Sequence, residues 1–315
     1  MGYETLVTLP VIDFSKQDLM PGTPEWDVLK VQVRQVLQKY GCFEASFDRM
    51  VEVRKPLFVA LEEFFGLPLE TKNLCNSKRH FRGYNGSKAP FHENVLFENG
   101  DVAGNVHNLT NMMWPQGNSS FSKTLLSFTE IASGLDKIIR RMILESFGLD
   151  KYTDEHMDTT EYNLRLMKNE GRPQTDEPNH GAHYDLGWMT VLYQNEINGL
   201  EIQNKDGEWI TVKPSSPNSF IIMVGEALSA LLNGGLPSPF HRVMMTVNNK
   251  TRYSIGLFAA PKGGYQVNVP DELVDEENPL LFKPFDMEEF LGFYKSQLAR
   301  GATAPERTLK AYCGV

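Results

Sequence analysis

The chain has 315 residues, of which 41% are hydrophobic and 23% charged, so it is long enough to bury a sizeable core. Its formal net charge of −9, from 31 Lys and Arg against 40 Asp and Glu, argues against a nucleic-acid partner. Its three cysteines are far apart and fit no metal spacing, which predicts reduced thiols in a cytoplasmic protein, and no apolar run is long enough to cross a bilayer.

Sequence patterns in the first third of the chain predict a strand and two helices. Residues 9–14 form a short apolar run that is typical of a strand. Apolar residues then recur at steps of three and four between Thr23, a helix N-cap, and Gly41, a helix stop. A second apolar stripe covers 57–65, so each segment is predicted to be a helix with one buried face.

A polar stretch with several glycines covers 73–120 and predicts either a long loop or a partly ordered segment. Loops of that length in compact domains commonly have a function, so we expect a lid or a pocket wall there. Its two histidines, His92 and His107, are expected to be solvated.

The second half of the chain changes from a helical to a strand-like period. An apolar stripe over 121–147 predicts one helix, roughly 40 Å long, that could back a whole sheet. A series of short β-rich segments follows, separated by turn residues such as Asp206 and Gly207, and a last helix is expected at 287–298. This order predicts an α+β chain with a sandwich or jelly-roll core.

Two histidines and one carboxylate stand out among the predicted strands. His183 and Asp185 are two residues apart, and His241 lies on a distant strand that a barrel would bring to the same mouth. Two imidazoles and one carboxylate with open positions are typical of non-haem Fe(II) oxygenases, whereas a structural zinc site would use four ligands. Each histidine on its own could equally be an ordinary core or surface residue.

Arg252 and Ser254 follow on the next predicted strand. Residues two apart on a strand point to the same face, so both side chains can enter one cavity. A guanidinium with a neighbouring hydroxyl suits the far carboxylate of a dicarboxylic co-substrate.

Together these motifs resemble the plant 2-oxoglutarate/Fe(II)-dependent dioxygenases over nearly the whole chain. The resemblance includes Leu-Pro-Val-Ile-Asp at 9–13, Phe-Phe-Gly-Leu-Pro at 64–68, Asn-Gly-Leu-Glu-Ile at 198–202 and Ser-Pro-Phe-His-Arg-Val at 238–243. Within the family the chain is most similar to the specialised-metabolism branch, which includes the glucosinolate-modifying AOP-type enzymes and deoxypodophyllotoxin synthase. The resemblance implies a double-stranded β-helix, or jelly roll, backed by the long helix, with an N-terminal helical and loop region and a C-terminal helix.

The resemblance also implies roles for the five polar residues. His183, Asp185 and His241 would be the iron ligands, and Arg252 and Ser254 would hold the carboxylate of 2-oxoglutarate. The implied reaction uses Fe(II), 2-oxoglutarate and O2, releases succinate and CO2, and is expected to be supported by ascorbate. The substrate would be hydroxylated, desaturated, dealkylated or closed into a ring.

Two departures from the family pattern lie close to this site. Tyr184 replaces the threonine that relatives commonly have between the first two ligands. Asn169 stands near the place where many relatives carry a tyrosine that helps to hold 2-oxoglutarate. An amide can still form a hydrogen bond, but the affinity for the co-substrate is expected to differ.

The substrate pocket is predicted from aromatic and apolar residues around the site. The candidates are Tyr162 and Leu164 on the strand before the triad, Phe258 on the clamp strand, and Phe290 and Tyr294 on the last helix. Core packing is the competing interpretation for each residue alone. As a group they favour a small, largely apolar metabolite.

Three functions fit these observations. The first is an oxygenase acting on a small specialised metabolite, as a monomer without a nucleic-acid or membrane partner. The second is a hormone-directed relative acting on a gibberellin or auxin-type acid, which would need a cation such as Arg82, Lys88 or Lys168. The third is a non-catalytic binding protein on the same fold, which the intact iron and clamp residues disfavour.

The predicted regions form one structural unit. Residues 1–120 are expected to supply an N-terminal helical region and pocket loops that do not fold independently. The backing helices follow at 121–160, the catalytic jelly roll at 161–275 and a C-terminal helical lid at 276–315.

Overall fold

A computed structural model describes residues 9–16, 19–77, 82–86, 91–171, 178–245 and 250–313. The strands are β1 Val11–Asp13, β2 Cys42–Ser46, β3 Gly83–Asn85, β4 His92–Phe97, β5 Thr160–Glu170, β6 His180–His183, β7 Met189–Gln194, β8 Leu200–Gln203, β9 Trp209–Thr211, β10 Ser219–Val224, β11 His241–Val243, β12 Thr251–Pro261, β13 Gln266–Val267 and β14 Phe285–Asp286. The helices are α1 Pro24–Tyr40, α2 Arg54–Gly66, α3 Leu69–Asn73, α4 Ala103–Met113, α5 Ser119–Ser146, α6 Thr153–Asp158, α7 Glu226–Leu231, α8 Met287–Ala299 and α9 Leu309–Cys313.

Two sheets form the centre of the fold. Within the described residues the larger sheet has eight strands in the order β1-β2-β10-β7-β12-β5-β4-β3, and the smaller sheet has the order β6-β11-β8-β9. All their pairings are antiparallel except that of β1 with β2. An apolar cluster between the sheets joins Leu192 and Ile221 of the larger sheet to Leu200 and Ile202 of the smaller one. This arrangement confirms the predicted α+β jelly roll.

Helices cover the other face of the larger sheet. The longest is α5, with 28 residues, which begins where the side chain of Asn118 accepts a hydrogen bond from the backbone N–H of Phe121. Its buried stripe includes Phe128, whose ring contacts the rings of Tyr193 and Phe220 on the sheet. The predicted backing helix is therefore confirmed, and it fixes the sheet from behind.

The first helix shows how local sequence sets its bounds. The Thr23 hydroxyl accepts a hydrogen bond from the backbone N–H of Trp26, and Gly41 ends α1 with φ of 68°. A Cβ at Gly41 would also lie 2.3 Å from the carbonyl oxygen of Pro237. Glycine is required there by both the left-handed backbone and the close approach of the neighbouring chain.

Of the two alternatives predicted for 73–120, the long loop is wrong and the ordered one is right. This stretch contains β3, β4 and α4, and β4 pairs along its whole length with β5. His92, which was expected to be solvated, is buried on β4, whereas His107 is exposed on α4. The sequence did not predict β4 as a strand because its first residues are polar. In the fold these residues face other polar groups rather than solvent.

The larger sheet also extends beyond the predicted jelly-roll region. Its strands β1 to β4 come from the N-terminal third of the chain, outside 161–275. Among the described residues, no helix has both the length and the apolar character needed to cross a membrane.

Candidate functional site

The two histidines and the aspartate meet at one end of the smaller sheet. His183 ends β6 and lies directly opposite His241, the first residue of β11, while Asp185 follows in the next turn. The Nε2 atom of each histidine lies 3.8 Å from Oδ1 of Asp185. The three donor atoms are within 4.8 Å of one another, so the fold brings together all three residues predicted as metal ligands.

Backbone and side-chain contacts orient these three groups. The Nδ1 atoms of His183 and His241 lie 2.8 and 3.1 Å from the carbonyl oxygens of Gly181 and Pro239. An Nδ1–H that donates to these carbonyls leaves each Nε2 as a bare acceptor facing Asp185, which is the tautomer that a metal needs. The hydroxyl of Thr190 donates to Oδ2 of Asp185 at 2.6 Å.

The electrostatics of the triad also suit a cation. Burial, and then the neighbouring His241 ring, lowers the pKa of His183 far below its ordinary value. Burial alone would raise the pKa of Asp185, but the two imidazoles and the Thr190 hydrogen bond lower it below its ordinary value. Neutral imidazoles and an ionised carboxylate are the ligand forms that bind a divalent metal, and this donor set fits Fe(II).

A buried arginine, Arg252, lies on β12 of the larger sheet. Nη1 of Arg252 donates to the Ser254 hydroxyl at 3.0 Å, while Nε and Nη2 donate to Oε1 of Gln194 at 3.3 and 2.8 Å. No described carboxylate forms an ion pair with Arg252, and burial lowers its pKa to about 10. Because an uncompensated buried cation is costly, this arrangement fits the carboxylate of a ligand.

Sequence reasoning did not find Gln194, although it orients the arginine. Gln194 is the last residue of β7 and lies directly opposite Ser254. An amide at a strand end carries no local signal, so only the strand pairing shows its contact with Arg252.

Asn169 lies directly opposite Arg252, on β5. It is fully buried, its Oδ1 lies 2.8 Å from Nδ1 of His92, and its Nδ2 has no hydrogen-bond partner among the described residues. The ring of His92 stacks on that of His180 at 5.0 Å. Asn169 therefore places a buried amide donor directly across the strand pair from Arg252.

A cavity of about 1010 Å³ opens in front of the triad. Phe258 and Tyr294, two of the residues predicted for the substrate pocket, line it together with His183 and Asp185. Tyr184 also lines it, and its ring lies 4.8 Å from that of Phe240.

Two further residues predicted for the pocket wall, Tyr162 and Leu164, lie on the opposite face of the sheet. The Tyr162 hydroxyl donates to Asp136 at 2.7 Å and accepts from Arg140 at 2.9 Å, and both partners belong to α5. Leu164 belongs to the hydrophobic core. Side chains alternate along a strand, so the cavity receives the odd-numbered residues of β5 instead.

The prediction for Phe290 is corrected in the same way. Its ring is buried among those of Phe285, Tyr294 and Tyr312 and does not line the cavity. On α8 the cavity is lined by the residues Met287, Glu288, Leu291, Tyr294 and Leu298.

Arg82 and Lys168, two of the three cations proposed to bind a substrate carboxylate, already form ion pairs with glutamates. Arg82 contacts Glu98 at 3.2 Å and Glu161 at 3.4 Å. Lys168 lies 2.6 Å from Glu170 and also pairs with Glu93. Lys88 lies outside the described residues.

Comparison with known proteins gives two family matches. Residues 160–261 match the 2OG-Fe(II) oxygenase superfamily. Residues 9–108 match the N-terminal region described as that of the non-haem dioxygenase in morphine synthesis. The two matches cover the strands and helices that build the site.

Curated relatives match over nearly their whole length. A probable 2-oxoglutarate-dependent dioxygenase of Arabidopsis thaliana, AOP1, is 45% identical over 299 residues, covering 93% of this chain and 98% of the relative. The 2-oxoglutarate-dependent dioxygenase AOP3 of the same plant is 32% identical, with 98% and 97% of the two chains covered.

Solved structures show the same fold. The rice dioxygenase for auxin oxidation is similar with a TM-score of 0.80 and 24% identity, covering 96% of this chain and 99% of that one. The 2-oxoglutarate complex of the corresponding Arabidopsis thaliana enzyme gives a TM-score of 0.77 at 22% identity, with 86% and 100% covered.

Proposed function

The chain belongs to the 2OG-Fe(II) oxygenase superfamily and is a 2-oxoglutarate-dependent dioxygenase, and we propose from this premise which of its residues perform the reaction. His183, Asp185 and His241 hold Fe(II), and Arg252 with Ser254 holds the far carboxylate of 2-oxoglutarate. The observations that carry this assignment are the convergence of three donor atoms within 4.8 Å of one another and, on β12, a buried arginine without an ion-pair partner among the described carboxylates.

The bound iron would supply O2 activation coupled to the decarboxylation of 2-oxoglutarate to succinate and CO2. The protein's own residues do the rest. Asp185 is kept ionised, and the carbonyls of Gly181 and Pro239 fix the tautomers of the two imidazoles. Gln194 holds the guanidinium of Arg252 ready for a carboxylate, because it engages the edge that carries Nε.

Asn169 is assigned to the same co-substrate site. Its Nδ2 is buried and has no partner among the described residues, while its Oδ1 is fixed by His92. Since it lies opposite Arg252, this N–H can donate to bound 2-oxoglutarate in place of the tyrosine hydroxyl of relatives.

The substrate assigned to the cavity is a small, largely apolar plant specialised metabolite, oxidised at an unactivated C–H bond. Phe258, Leu291 and Tyr294 supply apolar wall close to the triad, which supports this class. The auxin dioxygenases are below 25% identical, so their substrate is not transferred to this chain. We also propose that the protein is a cytoplasmic monomer and that ascorbate supports its activity.

The test is succinate formation from 2-oxoglutarate under Fe(II), ascorbate and air, with Mn(II) binding followed by electron paramagnetic resonance. We expect His183→Ala to weaken Mn(II) binding and to lower succinate formation at least about 100-fold, because it removes a direct ligand. His107→Ala is the matched control, since His107 is exposed on α4, and it should change neither quantity. Unchanged turnover in His183→Ala would refute the metal assignment.

A further inference from the structure

One arginine of the cavity lining forms no ion pair with a described carboxylate and has a buried nitrogen without a hydrogen-bond partner among the described residues. Arg165 on β5 lines the cavity, and its Nε is buried with no hydrogen-bond partner. Across the described ranges no carboxylate forms an ion pair with its guanidinium, in contrast with Arg82. Sequence reasoning did not single out Arg165, because it chose Tyr162 and Leu164, on the other face of the same strand, as pocket residues.

Phe258 and Gly256 on β12 form the surroundings of the Arg165 guanidinium. Its guanidinium carbon lies 5.1 Å from the centre of the Phe258 ring, and the residue directly opposite on β12 is Gly256. A Cβ at Gly256 would lie 2.7 Å from a carbon of that ring. The glycine therefore leaves room for Phe258 beside the guanidinium, which places one charged and one apolar surface side by side in the cavity.

The position of Arg165 separates it from the 2-oxoglutarate clamp. Gly256, its partner, is four residues beyond Arg252 on β12, which corresponds to roughly 13 Å along the strand. Arg165 nonetheless lines the same cavity as His183 and Asp185. Arg165 therefore borders the cavity beside the triad, whereas Arg252 and Ser254 are not among the described residues that line it.

Burial lowers the pKa of Arg165, and the negative charge of Asp185 offsets this effect only in part. Such a cation is expensive unless an anion enters beside it. We propose that Arg165 binds an anionic group of the primary substrate, a carboxylate or a sulfate, while Phe258 packs against its apolar part. The substrate class is therefore an amphipathic organic oxyanion, and this inference rests on the proposed function of the cavity.

The experiment is calorimetric titration of the full chain, loaded with Mn(II) and 2-oxoglutarate so that the clamp is filled. The probes are 4-phenylbutyrate, 2-phenylethyl sulfate and the neutral 4-phenylbutyramide. We expect wild-type protein to bind at least one anion roughly 10- to 100-fold more tightly than the amide, and the better anion identifies the group. Arg165→Gln should abolish this preference and leave amide binding unchanged, whereas Arg165→Lys should restore part of it.

Two controls distinguish a direct contact between Arg165 and the anion from a general effect of positive charge in the cavity. Arg307→Gln removes another cation of the cavity lining, whose guanidinium lies over the Tyr294 ring, and should alter the preference less than about twofold. The affinity of Arg165→Gln for 2-oxoglutarate, titrated separately, should stay within about twofold of wild type. A preference that survives in Arg165→Gln, an equal loss of 2-oxoglutarate binding, or wild-type protein that binds no anion more tightly than the amide would overturn the inference.

Failure of the proposed function gives a different pattern. If the chain forms no succinate but still prefers the anion in titrations without Mn(II) and 2-oxoglutarate, Arg165 binds oxyanions and the oxygenase residue assignments are wrong. If succinate forms and the anion preference is absent, the oxygenase residue assignments stand and the anion-binding role of Arg165 is wrong.

Discussion

At the scale of single residues, the site depends on side chains that orient the residues proposed to bind 2-oxoglutarate. Arg252 and Ser254 would contact 2-oxoglutarate, but Gln194 fixes the guanidinium through two hydrogen bonds to one oxygen. A planar guanidinium binds a carboxylate well only when its free edge has the right direction. Gln194 is therefore a positioning residue whose effect should appear in the binding of the co-substrate.

We expect Gln194→Leu to raise the KM for 2-oxoglutarate roughly tenfold, with a smaller change in kcat, because Arg252 loses the acceptor of two hydrogen bonds. Succinate formation measured against 2-oxoglutarate concentration tests this. Gln203→Leu is a matched control, since the Gln203 amide binds the carbonyl of Gly207 in the exposed β8–β9 turn. A KM within twofold of wild type in Gln194→Leu would show that Arg252 needs no such support.

At the scale of elements, the short helix α6 is fixed to the sheet by a buried histidine. The His156 ring lies 4.6 Å from that of Trp188, and its Nε2 has no hydrogen-bond partner among the described residues. Burial, and then the charge of Arg140, lowers the pKa of His156 well below its ordinary value. The folded chain keeps this histidine neutral, whereas the unfolded chain protonates it below a pH of about 6.5.

This difference predicts that the free energy of unfolding falls as the pH drops below about 6.5, since the unfolded state then binds a proton that the folded state does not. The slope for one proton is about 1.4 kcal/mol per pH unit. We expect His156→Gln to remove that contribution, so urea unfolding of metal-free protein at pH 7.5, 6.5 and 5.5 should show a shallower decline than wild type. His107→Gln, at an exposed position of α4, should keep the wild-type decline, and an equally steep decline in His156→Gln would contradict the assignment.

At the scale of the whole molecule, the larger sheet draws strands from the N-terminal third and from the catalytic part of the chain. β2 lies between β1 and β10, and β4 lies between β3 and β5. One hydrophobic cluster includes residues from Ile12 to Cys313. These observations support the prediction that the chain is one structural unit in which residues 1–120 do not fold by themselves.

We expect a chain that begins at residue 121 to lose cooperative folding. It would lack β1 to β4 and expose the edges of β10 and β5, together with the parts of α5 that pack against α1, α2 and α4. Thermal unfolding followed by circular dichroism, with the full chain as reference, tests this. A sharp transition and retained Mn(II) binding in the shortened chain would show that the catalytic part folds independently.

The sequence by itself determined the local elements and the class of chemistry. Helix stripes, the Thr23 cap and the Gly41 stop depend on neighbouring residues, so α1 could be placed from the sequence. The spacing of His183 and Asp185, with His241 further on, indicated the donor set. These features need no knowledge of distant contacts, because helix period, caps and motif residues are written within a few positions of one another.

Only the tertiary structure decided which side chains meet in the cavity. A strand has a period of two, so the sequence of β5 does not tell which face is inside, and pairing with β12 turned Asn163 and Arg165 toward the cavity instead of Tyr162 and Leu164. In the same way, β4 forms a strand because it pairs with β5, and its own sequence does not indicate this pairing. Strand register and the choice of partner depend on contacts between distant residues, and the local sequence does not encode them.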